Sequence, residues 1–191
     1  MIQLIKRPYY TERIAPFINK NIIKVLTGQR RVGKSCILRQ IQEHIEQTYP
    51  NSNTICINKE LEEFSFIRTH DDLSKFVTEH LKEGVANYLF IDEVQDIQGF
   101  ENTLRSLQAQ DACDIFITGS NATMLSSELS TYLSGRYVEF HIYSLTYQEF
   151  LEFHKVDAST QSLRSYLTFG GLPYLSNLPL EQEIVFEYLR N

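Results

Sequence analysis

The chain has 191 residues, of which 42% are hydrophobic and 12% aromatic, and its 18 basic and 24 acidic side chains give a formal net charge of −6. These values belong to a globular fold and exclude a chain dominated by disorder or collagen-like repeats, and the acidic balance offers no general attraction to nucleic acid or an anionic membrane. Cys36, Cys56 and Cys113 lie far apart without a C-x-x-C pair, which argues against a disulfide framework and a zinc site.

The amino-terminal run reaches Lys6 and Pro8 before an apolar stretch develops, unlike a secretory signal. No stretch nears the roughly 18 uncharged apolar residues of a membrane span. The expected compartment is therefore the reducing cytoplasm. Tyr9, Tyr10 and Phe17 precede the first strand and are read as core packing, with stacking on a base as the alternative.

From about residue 22, short apolar runs alternate with helix-period segments, the order expected of a parallel sheet wrapped by crossover helices. The first strand is expected over Ile22 to Thr27. Directly after it stands Gly28-Gln29-Arg30-Arg31-Val32-Gly33-Lys34-Ser35, a G-x-x-x-x-G-K-S (Walker A) pattern, and directly after that a helix pattern over Lys34 to Thr48. Glycines let such a loop wrap a phosphate, successive N–H groups form an anion nest, and the helix dipole adds positive potential. Lys34 is positioned to reach the β- and γ-phosphates and Ser35 to ligate Mg²⁺. Arg30 and Arg31 are expected to be solvated, their backbone doing the binding. Cys36 follows on the helix as a small core residue.

A second strand is expected over Thr54 to Asn58, and a helix over Asp71 to Leu81 with Asp71 as its N-cap. The third strand, Tyr88 to Asp92, is an apolar run ending in two carboxylates (the Walker B pattern). Asp92 at its tip is expected to hold Mg²⁺, and Glu93 just beyond to orient the attacking water. Asp96-Ile-Gln-Gly99 matches a GTPase D-x-x-G but lies past the strand end with no N-K-x-D following, so ATP is favoured over GTP. A helix pattern runs from Gly99 to Gln108.

The fourth strand, Asp114 to Thr118, ends in Gly119-Ser120-Asn121, read either as contacts to the γ-phosphate and attacking water or as a turn and N-cap for a helix over Asn121 to Leu133. The fifth, Tyr137 to Tyr143, alternates and looks like a sheet edge. Only helices follow: Thr146 to Phe153 with a Thr146/Glu149 capping box, Thr160 to Phe169, and Leu180 to Arg190. The pattern divides the chain into an α/β core over 1–145 and a helical, lid-like appendage over 146–191. The last helix pattern stops at Asn191 without a turn signal, as expected of a fragment cut before a further domain.

Taken together, the phosphate loop, the Asp92-Glu93 strand end and the polar end of the fourth strand resemble the ASCE division of P-loop ATPases, and AAA+ modules in particular. With Leu133-Ser-Gly-Arg136, Tyr143-Ser-Leu-Thr-Tyr-Gln-Glu-Phe150 and Gly170-Gly-Leu-Pro173, the chain resembles a prokaryotic AAA+-type family of unassigned cellular role. That resemblance implies a three-layer P-loop NTPase fold with a five-stranded parallel sheet in the order 5-1-4-3-2 and a small helical appendage. It also implies Asn121 as a sensor residue, Gln95 near the site, and Pro173 against adenine as in signal-transduction ATPases of the STAND type. Arg136 matches the family's Gly-Arg position, where an arginine serves as a finger on a bound or neighbouring nucleotide or pairs with a carboxylate such as Glu139. The implied activity is Mg²⁺-dependent ATP hydrolysis coupled to a conformational change, with ATP and ADP as ligands; the alternative is a slow, STAND-like nucleotide switch. A second copy of the chain or another protein is the implied partner, and DNA association rests on family analogy alone.

Overall fold

Period-two alternation in the strands sorts their side chains onto two faces. In the computed structural model, which describes residues 5–120 and 131–190, this alternation builds two separate apolar layers. The strands are β1 (Ile23–Thr27), β2 (Asn53–Asn58), β3 (Asn87–Asp92), β4 (Asp114–Thr118) and β5 (Tyr137–His141). All pair in parallel, in the order β2-β3-β4-β1-β5, which is the expected order read from the other edge. β5 is an edge, as its alternation indicates.

One face carries Ile23, Val25, Ile57, Leu89, Ile91 and Ile117, packed under α3 (His70–His80) and α4 (Phe100–Ala109) through Leu73, Val77, Phe100 and Leu104. The other carries Leu26, Tyr88, Phe90, Phe116 and Phe140 beneath α1 (Pro8–Ile14) and α2 (Lys34–Thr48). Phe90 and Phe116 stack there with ring centroids 5.0 Å apart. The result is the expected α/β/α three-layer fold. Because every strand runs the same way, the connections after β1, β3 and β4 all open at one edge of the sheet, where ligands gather in such folds.

After β5 come α5 (Tyr147–His154), α6 (Thr160–Phe169), a 3₁₀ turn (Pro173–Asn177) and α7 (Gln182–Arg190). The Thr146/Glu149 capping box forms as read, and a second box pairs Ser159 with Ser162 at the start of α6. Leu145 N–H donates to Gly171 O at 2.7 Å, and a Cβ on Gly171 would lie 2.4 Å from Leu145 O, so that glycine is required by close backbone approach.

Three expectations change. The residues before β1 contain α1, with Pro8 at its first turn, Tyr10 and Ile14 buried, and Tyr9 exposed. The N-cap of α3 is Thr69, not Asp71, because only Thr69 stands three residues before an acid, Asp72, that closes a reciprocal capping box. β5 stops at His141 rather than Tyr143, since the Tyr143 N–H turns to the Tyr10 hydroxyl at 3.0 Å. Asn121 and the helix start expected there lie outside the described residues.

Candidate functional site

β1 delivers the chain to Gly28, whose φ of +138° and contact with Ile142 O, 2.2 Å from where a Cβ would stand, leave room for glycine alone. Gly33, at φ +94°, is the N-cap of α2 and offers no side chain to its first-turn N–H groups. Between them Gln29, Arg30 and Arg31 are exposed, while Val32 turns its side chain into the core beneath α2.

Lys34 opens α2 and is only 4% exposed. Its Nζ donates to Gly28 O and Gln29 O, both at 3.2 Å, and to Ser120 Oγ at 3.0 Å. Ser120 in turn donates to Glu93 Oε1 at 2.6 Å, and Gln95 Nε2 donates to Glu93 Oε2 at 2.6 Å. The ends of β1, β3 and β4 are thus joined by one hydrogen-bond chain. Burial lowers the Lys34 pKa, opposed by the nearby Glu93 and Asp92 charges. Gln95 Oε1 is buried without a partner, an orphaned acceptor in the same cavity wall.

Asp92, 5% exposed, accepts a hydrogen bond from Thr118 Oγ1, which itself accepts from the Glu93 N–H at 3.0 Å. That bond helps hold Glu93 at φ +57°, in the left-handed region. Asp92 and Ser35 border a second cavity of 440 Å³ beside α2, two oxygen donors of the kind that hold Mg²⁺ together with phosphate and water. Among the described residues no group of three or more His, Cys, Asp or Glu side chains gathers around a point, so a cage built wholly from such side chains is not what this site offers.

The main cavity measures 720 Å³, within the range of small-molecule sites. The phosphate loop, Glu93 and Ser120 form one wall, and Phe153, Pro173, Tyr174 and Tyr188 from the carboxy-terminal helices form the other. Pro173 Cγ lies 3.8 Å from where a Cβ on Gly33 would stand. Lys34, Glu93, Ser35 and Pro173 therefore converge on one opening, with Asp92 just behind it.

Two readings of the loop are corrected. Cys36 is exposed at the cavity rather than packed in the core, because Ile37, Leu38, Ile41 and Ile45 claim the buried face of α2; surrounding protein still strips part of the water from its thiol, and this desolvation together with the Asp92 charge raises its pKa. Arg31 is exposed but not merely solvated. Its Nη1 donates to Tyr188 O at 3.2 Å and its guanidinium lies 4.7 Å from the Tyr188 ring centroid, while Tyr188 stacks on Tyr174 at 5.1 Å. Glu139 accepts from Thr27 Oγ1 at 2.5 Å rather than pairing with Arg136.

Arg136 immediately precedes β5, at the end of the sheet opposite the phosphate loop, and its carbonyl accepts from the Ile23 N–H at 2.9 Å. That placement does not suit action on a nucleotide held by its own chain. Arg7, Tyr174 and Tyr188 were not singled out from the sequence. They carry no local motif, and their partners lie up to 157 residues away. No helix among the described residues is long and apolar enough to cross a membrane.

Comparison with known proteins places these features in context. A family described as AAA domain matches residues 20–151. An uncharacterized protein of Haemophilus influenzae is 34% identical over 190 residues, covering 95% of this chain and 48% of its own length. An uncharacterized protein of Methanocaldococcus jannaschii is 32% identical over 184 residues, covering 88% and 40%. The chain thus spans about half the length of the curated relatives it matches. Among solved structures, domain III of the Thermotoga maritima replication initiation protein DnaA superposes with a TM-score of 0.59 at 16% identity, covering 96% of this chain and 84% of that one. The Thermotoga maritima RuvB Holliday junction branch migration motor gives 0.54 at 17% identity, covering 86% and 51%. At such identities these two establish a shared fold.

Proposed function

This chain belongs to the AAA domain family, and from that premise we propose that it binds ATP with Mg²⁺ and hydrolyses it, coupling turnover to a movement of its carboxy-terminal helices. The observation that carries the reading is the buried Lys34 ammonium, which faces the 720 Å³ cavity and is linked through Ser120 to Glu93.

The roles follow from chemistry. Backbone N–H groups of Gly28–Ser35 cradle the phosphates, Lys34 draws the β- and γ-phosphates toward the loop, and Ser35 with Asp92 holds the cation. Mg²⁺ bound with the nucleotide supplies charge neutralisation for the phosphates. Glu93 orients the attacking water and takes its proton; although both carboxylate oxygens accept hydrogen bonds, each retains a second lone pair. Ser120, with Asn121 beside it in sequence, senses the γ-phosphate, and Pro173 packs against adenine. Gln29, Arg30, Arg31, Val32 and Cys36 complete the loop and its rim. Arg136, at the far end of the sheet, serves a nucleotide held by a second copy of the chain. Residues 1–145 then form the ATPase core and 146–191 a lid.

A second reading, a slow nucleotide switch, is favoured by the engagement of both Glu93 oxygens, which leaves the carboxylate held rather than poised. Phosphate release from ATP and from GTP with Mg²⁺, wild type beside Glu93→Gln, separates the two. Turnover above roughly 0.01 per second on ATP that the variant loses supports hydrolysis. Stoichiometric bound ADP with negligible turnover selects the switch. A protein that binds neither nucleotide overturns both.

A further inference from the structure

Arg7 stands one residue before α1 in a stretch without a motif, yet it is only 3% exposed. A guanidinium taken out of water needs partners for its donors. Nε and Nη2 fork onto Glu149 at 2.7 and 3.1 Å. Nη1 donates to Tyr143 O at 3.0 Å and to Val32 O at 3.2 Å, and Nη2 to Ser144 O at 3.4 Å. The guanidinium lies 4.6 Å from the Tyr10 ring centroid. The backbone beneath it is held as well, since the Arg7 N–H donates to Gln40 Oε1 at 3.1 Å and Gln40 Nε2 donates to Ile5 O at 3.0 Å. One side chain therefore binds the phosphate loop, the segment that follows β5 and the first turn of α5.

The Val32 carbonyl gives this arrangement its meaning. In a trans peptide the C=O and the following N–H point in opposite directions, so holding Val32 O toward Arg7 turns the Gly33 N–H away from it. Gly33 lines the main cavity, and a loop that captures phosphate with its backbone depends on such peptide planes being set in advance. Glu149 has a second task. Its Oε2 accepts from the Thr146 N–H at 2.9 Å and from Thr146 Oγ1 at 3.1 Å, closing the capping box of α5. The carboxylate that anchors Arg7 also anchors the start of that helix.

We propose that Arg7 is a positioning residue that sets the Val32–Gly33 peptide for phosphate capture and, through Glu149, ties the occupancy of the phosphate loop to the first turn of α5. The assignment rests on the nucleotide-binding reading above and adds to it the route by which the carboxy-terminal helices sense the ligand. The coupling is reciprocal: whatever an ordered α5 lends to phosphate binding, bound phosphate returns to α5. Lysine at position 7 would keep the charge but not the fork, so it could not hold the carboxylate and the carbonyls together.

The test uses the full chain, Mg²⁺ and a fluorescent N-methylanthraniloyl ADP, with amide hydrogen exchange over residues 146–154 measured with and without ADP. Wild type is expected to bind ADP and to slow exchange over that helix when it does. Arg7→Lys should weaken ADP roughly tenfold, the loss expected for one charge-assisted hydrogen bond, and abolish the slowing. Glu149→Gln, which can still accept from Arg7 but carries no charge, should weaken ADP less and reduce the slowing; it also carries the test if Arg7→Lys does not fold. Tyr10→Phe removes the bond from the Tyr143 N–H but leaves the ring beneath the guanidinium, so it should lower Tm and leave both readouts unchanged. Wild-type affinity or an intact ADP-dependent slowing in the folded Arg7→Lys or Glu149→Gln protein overturns this assignment alone. A wild type that binds no ADP overturns the nucleotide reading beneath it.

Discussion

Replacing Gly28 by alanine probes how firmly the entry to the phosphate loop is fixed. The new Cβ would stand 2.2 Å from Ile142 O and 3.2 Å from its carbonyl carbon, so the two backbones must part by about 1 Å to restore normal contact. Parting them strains the bond from the Ile142 N–H to Thr27 O, now 2.8 Å long, at a cost of about 0.5–1.5 kcal/mol. A φ of +138° on a residue with a Cβ adds about 1–3 kcal/mol. The sum, about 1.5–4.5 kcal/mol, corresponds to a fall in Tm of about 3–18 °C for a chain of 191 residues. If the relaxed loop must be forced back to hold phosphate, the same energy appears as a weakening of about 10- to 1,600-fold. Gly33→Ala is the internal comparison: its φ is +94° but its nearest neighbour is Pro173 Cγ at 3.8 Å, so only the backbone strain applies. Thermal melts with and without ADP, together with calorimetric titration, read both effects. The reasoning is refuted if Gly28→Ala melts and binds like wild type, or if Gly33→Ala is the more damaging to Tm.

Lys34→Ala should abolish ADP binding while leaving a folded protein, and a titration with unchanged affinity would remove the phosphate site from this loop. Lys24→Met should cost about 3–5 kcal/mol, or about 6–20 °C in Tm, because the Asp114 carboxylate, its side chain only 9% exposed, is left without its ion partner; a loss under about 1 kcal/mol contradicts a structural role for the pair. Burial pushes the Glu149 carboxyl upward, but hydrogen bonds from Arg7 and Thr146 outweigh it and hold the pKa below 4.5. The unfolded chain therefore binds that proton more readily, and the stabilisation is present above pH 4.5 and lost as pH falls through the lowered folded-state value. Glu149→Gln should flatten the acid limb of Tm against pH, and superimposable limbs would contradict the linkage.

What the sequence made legible follows the range over which each feature is encoded. β3 and β4 are short apolar runs buried on both faces, and the phosphate loop is a contiguous pattern between a strand and a helix, so local reading suffices. The strand order came with the family resemblance, since nothing local in five apolar runs states which lies beside which. The N-cap of α3 was misplaced because Thr69, Asp71 and Asp72 all suit a helix start, and only the three-residue spacing of the capping box separates them. Cys36 falls one step short of the core: the apolar side chains buried under α2 begin at Ile37, and one residue of helix is a turn of roughly 100°, enough to move a thiol from core to cavity. Arg7 was beyond local reading, its partners Val32 and Glu149 lying 25 and 142 residues away.

Two lysines go under the surface at opposite ends of β1, and burial lowers the pKa of both. Lys24 meets Asp114 directly and donates to Lys20 O at 2.9 Å, while Asp114 also takes the Asn19 N–H at 2.8 Å. Both charges of that pair are answered within the chain, which makes the cluster a clasp between β1, β4 and the turn before them. Lys34 has three carboxylates, Glu93, Asp92 and Glu60, near enough to oppose the shift, yet among the described residues no acid forms an ion pair with it. Its hydrogen bonds go to two carbonyls and a hydroxyl, while Asp92 is held by Thr118 and Glu93 by Ser120 and Gln95. A desolvated cation that reaches Glu93 only through the Ser120 hydroxyl, and Asp92 not at all, is incompletely neutralised, and the deficit favours a multiply charged anion over a neutral ligand. The partners, rather than the burial, separate the structural lysine from the one the proposed function assigns to phosphate. On the proposed nucleotide reading, the same logic assigns the larger share of affinity to the phosphates rather than the base, so substitutions that disturb the peptide planes at Gly28 or Val32 should act on ADP binding more strongly than changes at Pro173 or Tyr174.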